Sequence, residues 1–308
     1  MEENNILYIF NGDCAFEAWK KSVDTTCGKD FLLWRENYLE GPLPANVPLE
    51  EFEKTRAALI HTWVPEYSCE RLYDCLLSMD KKLLSLTEKD IVVLYFDCCM
   101  YDIVMLCRIF SLLRGGKAEV RLFCEDTVLG REEEVYKRDI ASLRKLAPET
   151  VSLYASAWDA ILQGAQAVEK FNLSGMAEKE KFLAEGLRRY GEDHPVGAAM
   201  GKSEKILCSL VENGICSFRE IFHSFLAQEK YPFMGDTMCL RLLDSLAERK
   251  FLRKEGTGME SFYFCNTPDR GSVHREKEEN DKKIKKNLAK RKNGGKLYTV
   301  FAKKIREI

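Results

Sequence analysis

The sequence predicts an α/β protein: an N-terminal parallel sheet flanked by helices, then a helical region and a winged-helix-like C-terminal domain. Two observations predict the sheet. Short apolar runs such as ILYIF (6–10) alternate with stretches at helical spacing, and the runs are apolar throughout, as in strands buried on both faces. The third observation is that three short helical patterns precede a hairpin pattern near the C-terminus.

The N-terminal elements follow one another as strands separated by helices. The predicted strands are 6–10, 31–34, 91–96 and 120–124. The predicted helices are 14–22, 50–63, 69–85, 101–114 and 131–146, the last one a charged amphipathic pattern. Gly115-Gly116 ends the fourth of these helices. We expect the α/β domain to cover residues 1–148.

The remaining elements are predicted to be mainly helical. Residues 151–190 carry two helical patterns, so we expect a helical connector over 149–196, which the turn-rich GEDHPVG (191–197) closes. Helices over 203–213, 218–228 and 236–250 and a hairpin over 250–264 then predict a winged-helix-like domain over 197–268. Ser217 and Glu220 form a capping box, and Asp236 is the expected cap of the third helix.

Composition and charge exclude some classes of protein. The chain of 308 residues is 45% hydrophobic and 31% charged, and it contains no apolar run near the ~20 residues of a membrane span. The polar N-terminus MEENN does not resemble a secretory signal, so we expect a cytoplasmic protein with no membrane partner and with its twelve cysteines reduced.

The net charge of −2 is distributed unevenly. From residue 270 to the end there are 14 Lys/Arg against 5 Asp/Glu, so an acidic body precedes a basic tail, which we place at 269–308. Such a tail fits a solvated extension, or an electrostatic contact with nucleic acid or an acidic partner.

Polar residues follow every predicted strand. Because parallel strands point the same way and ligands bind outside their carboxyl ends, we expect these residues to form one pocket for a small polar ligand. The candidates are Asn11, Asp13, Arg35, Glu36, Glu40, Asp97, Tyr101 and Asp102, with Glu125-Asp126 after the fourth strand. Taken singly, each of them also fits a helix cap or a structural ion pair.

The candidate residues limit the ligand without naming it. Carboxylates suit a divalent metal, sugar hydroxyls or a cationic ligand, and Arg35 suits one anionic group held by two hydrogen bonds. No G-x-G-x-x-G follows the first strand, and the cofactor stays unknown. A metal-assisted hydrolase or transferase acting on a nucleotide or sugar is the alternative, and it would place Asp13, Glu36, Asp97 or Asp126 around one ion.

Several motif-like stretches carry no predicted chemistry. GAAMGKSE (197–204) resembles a phosphate-binding loop, but Val196 stands where that loop needs a glycine, so we interpret Ser203 as a helix cap. The sequence has no C-x-x-C, its four histidines are dispersed, and it has no G-x-S-x-G. We therefore predict neither a zinc site nor an α/β-hydrolase nucleophile.

Nucleic-acid binding is the third hypothesis. The predicted recognition helix offers Arg241 as the one base in its first two turns, among acids that oppose phosphate. The nucleic acid would then be bound mainly by the tail and by basic residues of the predicted wing, which are Arg249, Lys250, Arg253 and Lys254. Winged helices also serve as protein-contact modules, so the fold does not decide between the two.

The strand-end motifs together resemble a bacterial family of domains of unknown function, number eighteen-thirty-five, which usually precedes a conserved companion region. The matching stretches are NGD, WRENYLEGP, YFDCCMYD, MGKSE and EKYPFMGDTMCLRLLDSLA, which span most of residues 6–252. The resemblance implies an α/β domain and a helical C-terminal region, with no established activity. The residues that match the family's pattern are Asn11, Asp13, Arg35, Glu36, Glu40, Asp97 and Asp102.

The chain departs from that family in its third motif. The family usually has an acid followed by His-Asp, whereas Cys98 and Cys99 follow Asp97 here. We assign no catalytic role to Cys98. Our leading hypothesis is a cytoplasmic bacterial protein whose α/β domain binds a small polar ligand, with the C-terminal domain reporting that state as a regulator.

Overall fold

The computed structural model describes residues 5–23, 30–126, 129, 133–197 and 199–266. The predicted basic tail over 269–308 lies outside the described residues. Within these ranges, every helix is too short or too polar to span a lipid bilayer. No two of the eleven cysteines in the same ranges are joined by a disulfide bond.

One five-stranded sheet organises the first part of the chain. Its strands are β1 (Asn5–Phe10), β2 (Asp30–Leu33), β3 (Asp90–Tyr95), β4 (Glu119–Phe123) and β5 (Arg144–Lys145). The order across the sheet is β2-β1-β3-β4-β5, with the first four strands parallel and β5 antiparallel to β4. The predicted α/β fold with a mostly parallel sheet is therefore confirmed.

Ten helices accompany this sheet in the described residues. They are α1 (Asp13–Ser22), α2 (Leu49–Trp63), α3 (Cys69–Leu84), α4 (Met100–Leu113), α5 (Pro148–Gln163), α6 (Ala165–Leu173), α7 (Lys181–Asp193), α8 (Lys202–Glu212), α9 (Phe218–Leu226) and α10 (Asp236–Glu248). A second, two-stranded sheet of β6 (Leu252–Glu255) and β7 (Phe262–Cys265) follows α10.

The sheet buries both of its faces, which explains the continuously apolar strands. Successive side chains of β1 alternate between the faces, and residues 7–10 are all buried. On one face the ring centroids of Phe10 and Trp19 of α1 lie 5.1 Å apart, and those of Phe10 and Tyr95 of β3 lie 5.5 Å apart. Right-handed crossovers place α1 and α4 on opposite faces, because β1 to β2 and β3 to β4 step in opposite directions across the sheet.

Helix α4 is the centre of the helical layer. It packs against α5 and α7, with the Phe110 and Tyr154 rings edge to face at 5.1 Å. A Cβ on Gly186 of α7 would come within 2.7 Å of the Ile103 side chain, so these helices touch closely. The segment 149–196, which we predicted as a connector, thus contributes to this layer, and one compact unit extends to Phe264.

The predicted helix over 131–146 is wrong. The described part forms two short 3₁₀ turns, Glu133–Lys137 and Ile140–Ser142, followed by β5. Val135, Tyr136 and Leu143 are buried in the core at a spacing that imitates a helix. The Asp139 carboxylate accepts a hydrogen bond from the Ala141 amide at 3.0 Å, and such local bonds compete with a continuous helix.

Two predicted helix caps are also wrong, whereas the third is confirmed. Helices α8 and α10 begin after Gly201 and Gly235, which have no side chain to cap with. Ser203 instead bonds Asp193 through its amide, at 2.7 Å, and through its hydroxyl. The Ser217 hydroxyl does cap α9 by accepting from the Glu220 amide.

Candidate functional site

The strand order defines where a ligand site is expected. The chain leaves β1 toward β2 on one side, while β3 lies on the other side of β1. In open parallel sheets, ligands bind outside the carboxyl ends of the strands at such a switch point. Asn11 and Asp97 are the residues near that point, because they follow β1 and β3 closely.

Three of the candidate residues meet at this switch point. The Asn11 amide Nδ2 donates to Oδ2 of Asp97 at 3.2 Å and to Oδ2 of Asp102 at 2.5 Å. The Asp97 backbone amide also donates to Oδ2 of Asp102, at 2.6 Å. The Leu129 amide donates to Oδ1 of Asp97 at 2.7 Å. Asn11 therefore bridges two carboxyl groups that are 86 and 91 residues away in sequence.

Burial changes the acidity of both carboxyl groups. It raises the pKa of Asp97 to about 6, although the hydrogen bonds from Leu129 and Asn11 oppose the rise. It raises the pKa of Asp102 well above its ordinary value, and the nearby charge of Asp97 raises it further. Both carboxyl groups therefore keep a proton to a higher pH than exposed aspartates do.

Asp13 and Arg35 form a second, adjacent pair. The Arg35 guanidinium donates to both carboxylate oxygens of Asp13, with Nε to Oδ2 at 3.1 Å and Nη2 to Oδ1 at 2.8 Å. Each side chain keeps 29% of its surface exposed, so solvent reaches this pair. Gly12, which precedes Asp13, has a φ of 144°, and a Cβ there would meet no atom within 4 Å. The turn between β1 and α1 is therefore open to the approach of a ligand.

Glu36 lies in the loop after β2, where its partner is the buried Arg56. One guanidinium nitrogen of Arg56 donates to Glu36 Oε1 at 2.7 Å and to the Asn37 carbonyl at 2.6 Å. The other donates to the carbonyls of Glu40 and Pro42 at 2.9 and 3.1 Å. Since both Glu36 and Arg56 are buried, the pair holds the loop in shape. Glu36 is thus held by α2 and is not one of the residues that Asn11 bridges.

Glu40 faces the C-terminal helices. Arg241 of α10 donates from Nε to Glu40 Oε1 at 2.9 Å and from Nη2 to Oε2 at 2.5 Å. The same guanidinium lies 4.5 Å from the centre of the Trp63 ring. Tyr101 lies in the first turn of α4, and burial, then the charges of Asp102 and Glu36, raise the pKa of its hydroxyl. Glu40 and Arg241 thus join the α/β part to α10.

The other basic candidates are paired as well. Arg249 bonds Glu204, and Arg253 bonds Glu255. Lys254 donates to Asp244 at 2.7 Å. Lys250 adopts a left-handed conformation, with a φ of 64°, in the turn between α10 and β6. These acids offset the positive charge of Arg249, Arg253 and Lys254, which weakens their attraction for phosphate.

The carboxylates that a metal-assisted enzyme would need around one ion each have a different partner. Asp13 binds Arg35, Glu36 binds Arg56, and Asp126 lies 3.4 Å from the Tyr231 hydroxyl. Across the ranges that the structure describes, no group of three or more His, Cys, Asp or Glu side chains is arranged to hold a metal ion. Cys98 is a poor nucleophile, because burial raises its pKa to about 12.

Two contributors to the site were missed from the sequence. Leu129 supplies only its backbone amide, which no sequence pattern reports. Arg56 could have been predicted, because it lies on the buried side of α2 with Phe52 and Ala57. A charged residue at an apolar position of a helix indicates a buried ion pair.

In comparisons with known proteins, no protein-family model and no curated protein matches this chain. What the site can do chemically therefore follows from its geometry. Asp97 accepts hydrogen bonds or a proton, and Arg35 is able to bind a planar anionic group if Asp13 releases it.

Proposed function

We propose that this protein binds a small polar ligand at the carboxyl ends of β1 and β3. The observation that carries the proposal is the bridge from Asn11 to Asp97 and Asp102, which gathers three polar residues of distant sequence at the switch point of the sheet. Polar residues with a purely structural role need not meet at the place where open α/β sheets bind their ligands.

The chemistry of the site favours a polyhydroxylated ligand with one anionic group. Asp97, as a carboxylate, accepts from hydroxyl groups, and the partly exposed Arg35 pairs with a carboxylate or phosphate in place of Asp13. A sugar phosphate or a nucleotide has both features. The open turn at Gly12 leaves room for such a ligand beside the first turn of α1.

We further propose that the C-terminal part is a winged-helix-like module that responds to this ligand. Its support is the sequence of α8, α9 and α10 before β6 and β7, with Ser217 bridging to Phe262 as a third short strand segment. The contact of Arg241 with Glu40 turns α10 toward the α/β part. This contact favours a protein-contact role over nucleic-acid reading, since Arg241 is already occupied.

Two further predictions from the sequence remain proposals. Membership of the family of domains of unknown function, number eighteen-thirty-five, is supported by the position of its motifs, because NGD and YFDCCMYD both supply residues of the Asn11 bridge. The domain bounds and the cytoplasmic location stay predictions. The metal-assisted alternative finds no support in the carboxylate positions of the described residues.

Thermal denaturation of the full chain with a panel of sugar phosphates, nucleotides and uncharged sugars tests the ligand site. We expect at least one anionic member to raise the Tm of the wild type and of the control Arg114→Ala, which removes an exposed pair with Asp159. The rise should disappear in Arg35→Ala and in Asp97→Asn. No rise with any member, or an equal rise in all variants, would contradict the proposal.

A further inference from the structure

A cavity lies between the α/β part and the C-terminal helices. It has a volume of about 290 Å³, near the lower end of the range for small-molecule pockets. The loop after β2 and the first residue of α4 form one wall, while the end of α7, the start of α8 and one side of α10 form the others. None of Asn11, Asp97 and Arg35 lines it, so this crevice is separate from the strand-end site.

The charged residues of the crevice wall already have partners. Glu40 is paired with Arg241, Asp193 with Arg189, and Glu204 with Arg249. Arg241 is the arginine of the described wall, and its Nε and Nη2 both donate to the Glu40 carboxylate. A phosphate or carboxylate would meet three acids and one arginine that already holds a carboxylate among the described lining residues, so the crevice favours an uncharged ligand.

Two polar groups of the wall remain able to bond a ligand. His194 Nδ1 lies 3.0 Å from the Tyr190 carbonyl oxygen, which only accepts, so Nδ1 carries a proton, and in the tautomer with its one proton there Nε2 is an acceptor. The His194 ring is stacked on Tyr190 at 4.1 Å, which fixes its orientation. Ser245 of α10 is half-buried, and its hydroxyl bonds no described side chain or backbone group.

The apolar surface of the crevice is rich in methionine. Met100 is the first residue of α4, Met234 and Met238 lie four residues apart around the start of α10, and Leu39 and Leu242 complete the apolar lining. Thioethers are flexible and polarisable, and they make favourable contacts with aromatic rings. Such a wall adapts to a flat ring, while His194 Nε2 requires an N–H donor from it.

We propose that this crevice binds an uncharged, planar nitrogen heterocycle, with a ring N–H donating to His194 Nε2 and with the ring faces against the three methionines. Bound there, the ring contacts both the Glu40 loop and α10. It therefore stabilises the contact between the α/β part and the C-terminal helices.

Methionine-methyl NMR of the full chain, with adenine and benzimidazole as probes, tests this proposal. We expect saturable shifts of the Met100, Met234 and Met238 signals, while Met79 and Met176, outside the crevice, stay in place. In His194→Ala the affinity should fall about fivefold, as for the loss of one hydrogen bond.

The matched control is His61→Ala, because His61 Nδ1 makes the same kind of bond to a tyrosine carbonyl, that of Tyr67, away from the crevice. The His61→Ala variant should bind adenine with the affinity of the wild type. Arg35→Ala should do so as well, which would show that adenine does not bind at the strand-end site. The proposal is overturned if neither probe shifts the three methionines, if His194→Ala binds as the wild type does, or if benzoate binds equally well.

Discussion

At the residue scale, the clearest feature is a set of charges buried together between helices. Nη2 of Arg108 in α4 donates to Glu53 of α2 at 2.9 Å and also to Asp80 of α3. The guanidinium lies 4.6 Å from the centre of the Phe52 ring. Glu53 and Asp80 are 1% and 2% exposed, so two acids share one buried cation. Burial and the neighbouring Asp80 raise the pKa of Glu53 to about 8, so this group holds a proton at neutral pH.

The first prediction concerns pH. The unfolded chain releases the Glu53 proton near pH 4.5, whereas the folded chain keeps it up to about pH 8. The contribution of Glu53 to stability is thus complete below 4.5 and is lost as the pH rises to about 8, with a slope of at most about 1.4 kcal/mol per pH unit. Glu53→Gln should remove this slope, because the amide has no proton to lose. Its carbonyl oxygen still accepts the hydrogen bond from Arg108. Urea denaturation across that pH range measures it.

The control for this prediction is Glu51→Gln, an exposed acid of the same helix. Its free energy of unfolding should keep the pH dependence of the wild type. An unchanged slope in Glu53→Gln would show that Glu53 is ionised in the folded protein at neutral pH.

At the scale of elements, the close contact of α7 with α4 determines how the helical layer assembles. Gly186 of α7 lies against Ile103 of α4, which is fully buried. Gly191, one and a half turns later in the same helix, has open space around its Cβ position. Both glycines are helical, but one is crowded by a side chain and the other is not. Substituting alanine at each position therefore distinguishes the effect of helix propensity from that of packing.

The second prediction uses that contrast. Gly186→Ala should destabilise the protein by about 1–3 kcal/mol, because its Cβ would lie 2.7 Å from atoms of Ile103. Gly191→Ala should instead stabilise it by up to about 1 kcal/mol through helix propensity alone. Urea denaturation of both variants measures the difference, and equal effects would contradict the close packing of α7 on α4.

At the scale of the whole molecule, several polar contacts join the C-terminal helices to the α/β part beside the methionine-lined crevice. Besides the Glu40–Arg241 pair, Asn37 in the loop after β2 lies 3.9 Å from the Met238 sulfur of α10. Arg189 of α7 binds Glu229 and the Ser203 hydroxyl at the start of α8. Polar interfaces of this kind exchange partners more easily than an apolar core, which suits a module that responds to a ligand.

The third prediction is the strength of the main contact. A double-mutant cycle with Glu40→Gln and Arg241→Met should give a coupling free energy of about 1 kcal/mol, because two hydrogen bonds hold a partly buried pair. The same cycle on Arg253 and Glu255, where both side chains are about half exposed, should give a value near zero. Similar values for both pairs would show that Arg241 does not hold α10 to the α/β part.

Local patterns predicted most of the elements in the α/β part. The apolar runs of β1 and β3 are buried on both faces, and this condition is visible in sequence because every residue in the run is apolar. The helix predicted over 131–146 is wrong for a local reason. Apolar spacing was read as a helix, but side-chain bonds of Asp139 and packing on the core divided the segment into two turns and β5.

By itself, the sequence determined that the central strands are buried, that helices separate the parallel strands, and that polar residues follow each strand, because these are properties of neighbouring residues. Only the tertiary structure decided which of those polar residues meet. Asn11 bridges Asp97 and Asp102, whereas Glu36 turns to Arg56 and Glu40 to Arg241. The physical reason is that a side chain's partner depends on strand order and helix packing, which bring together residues more than 80 positions apart.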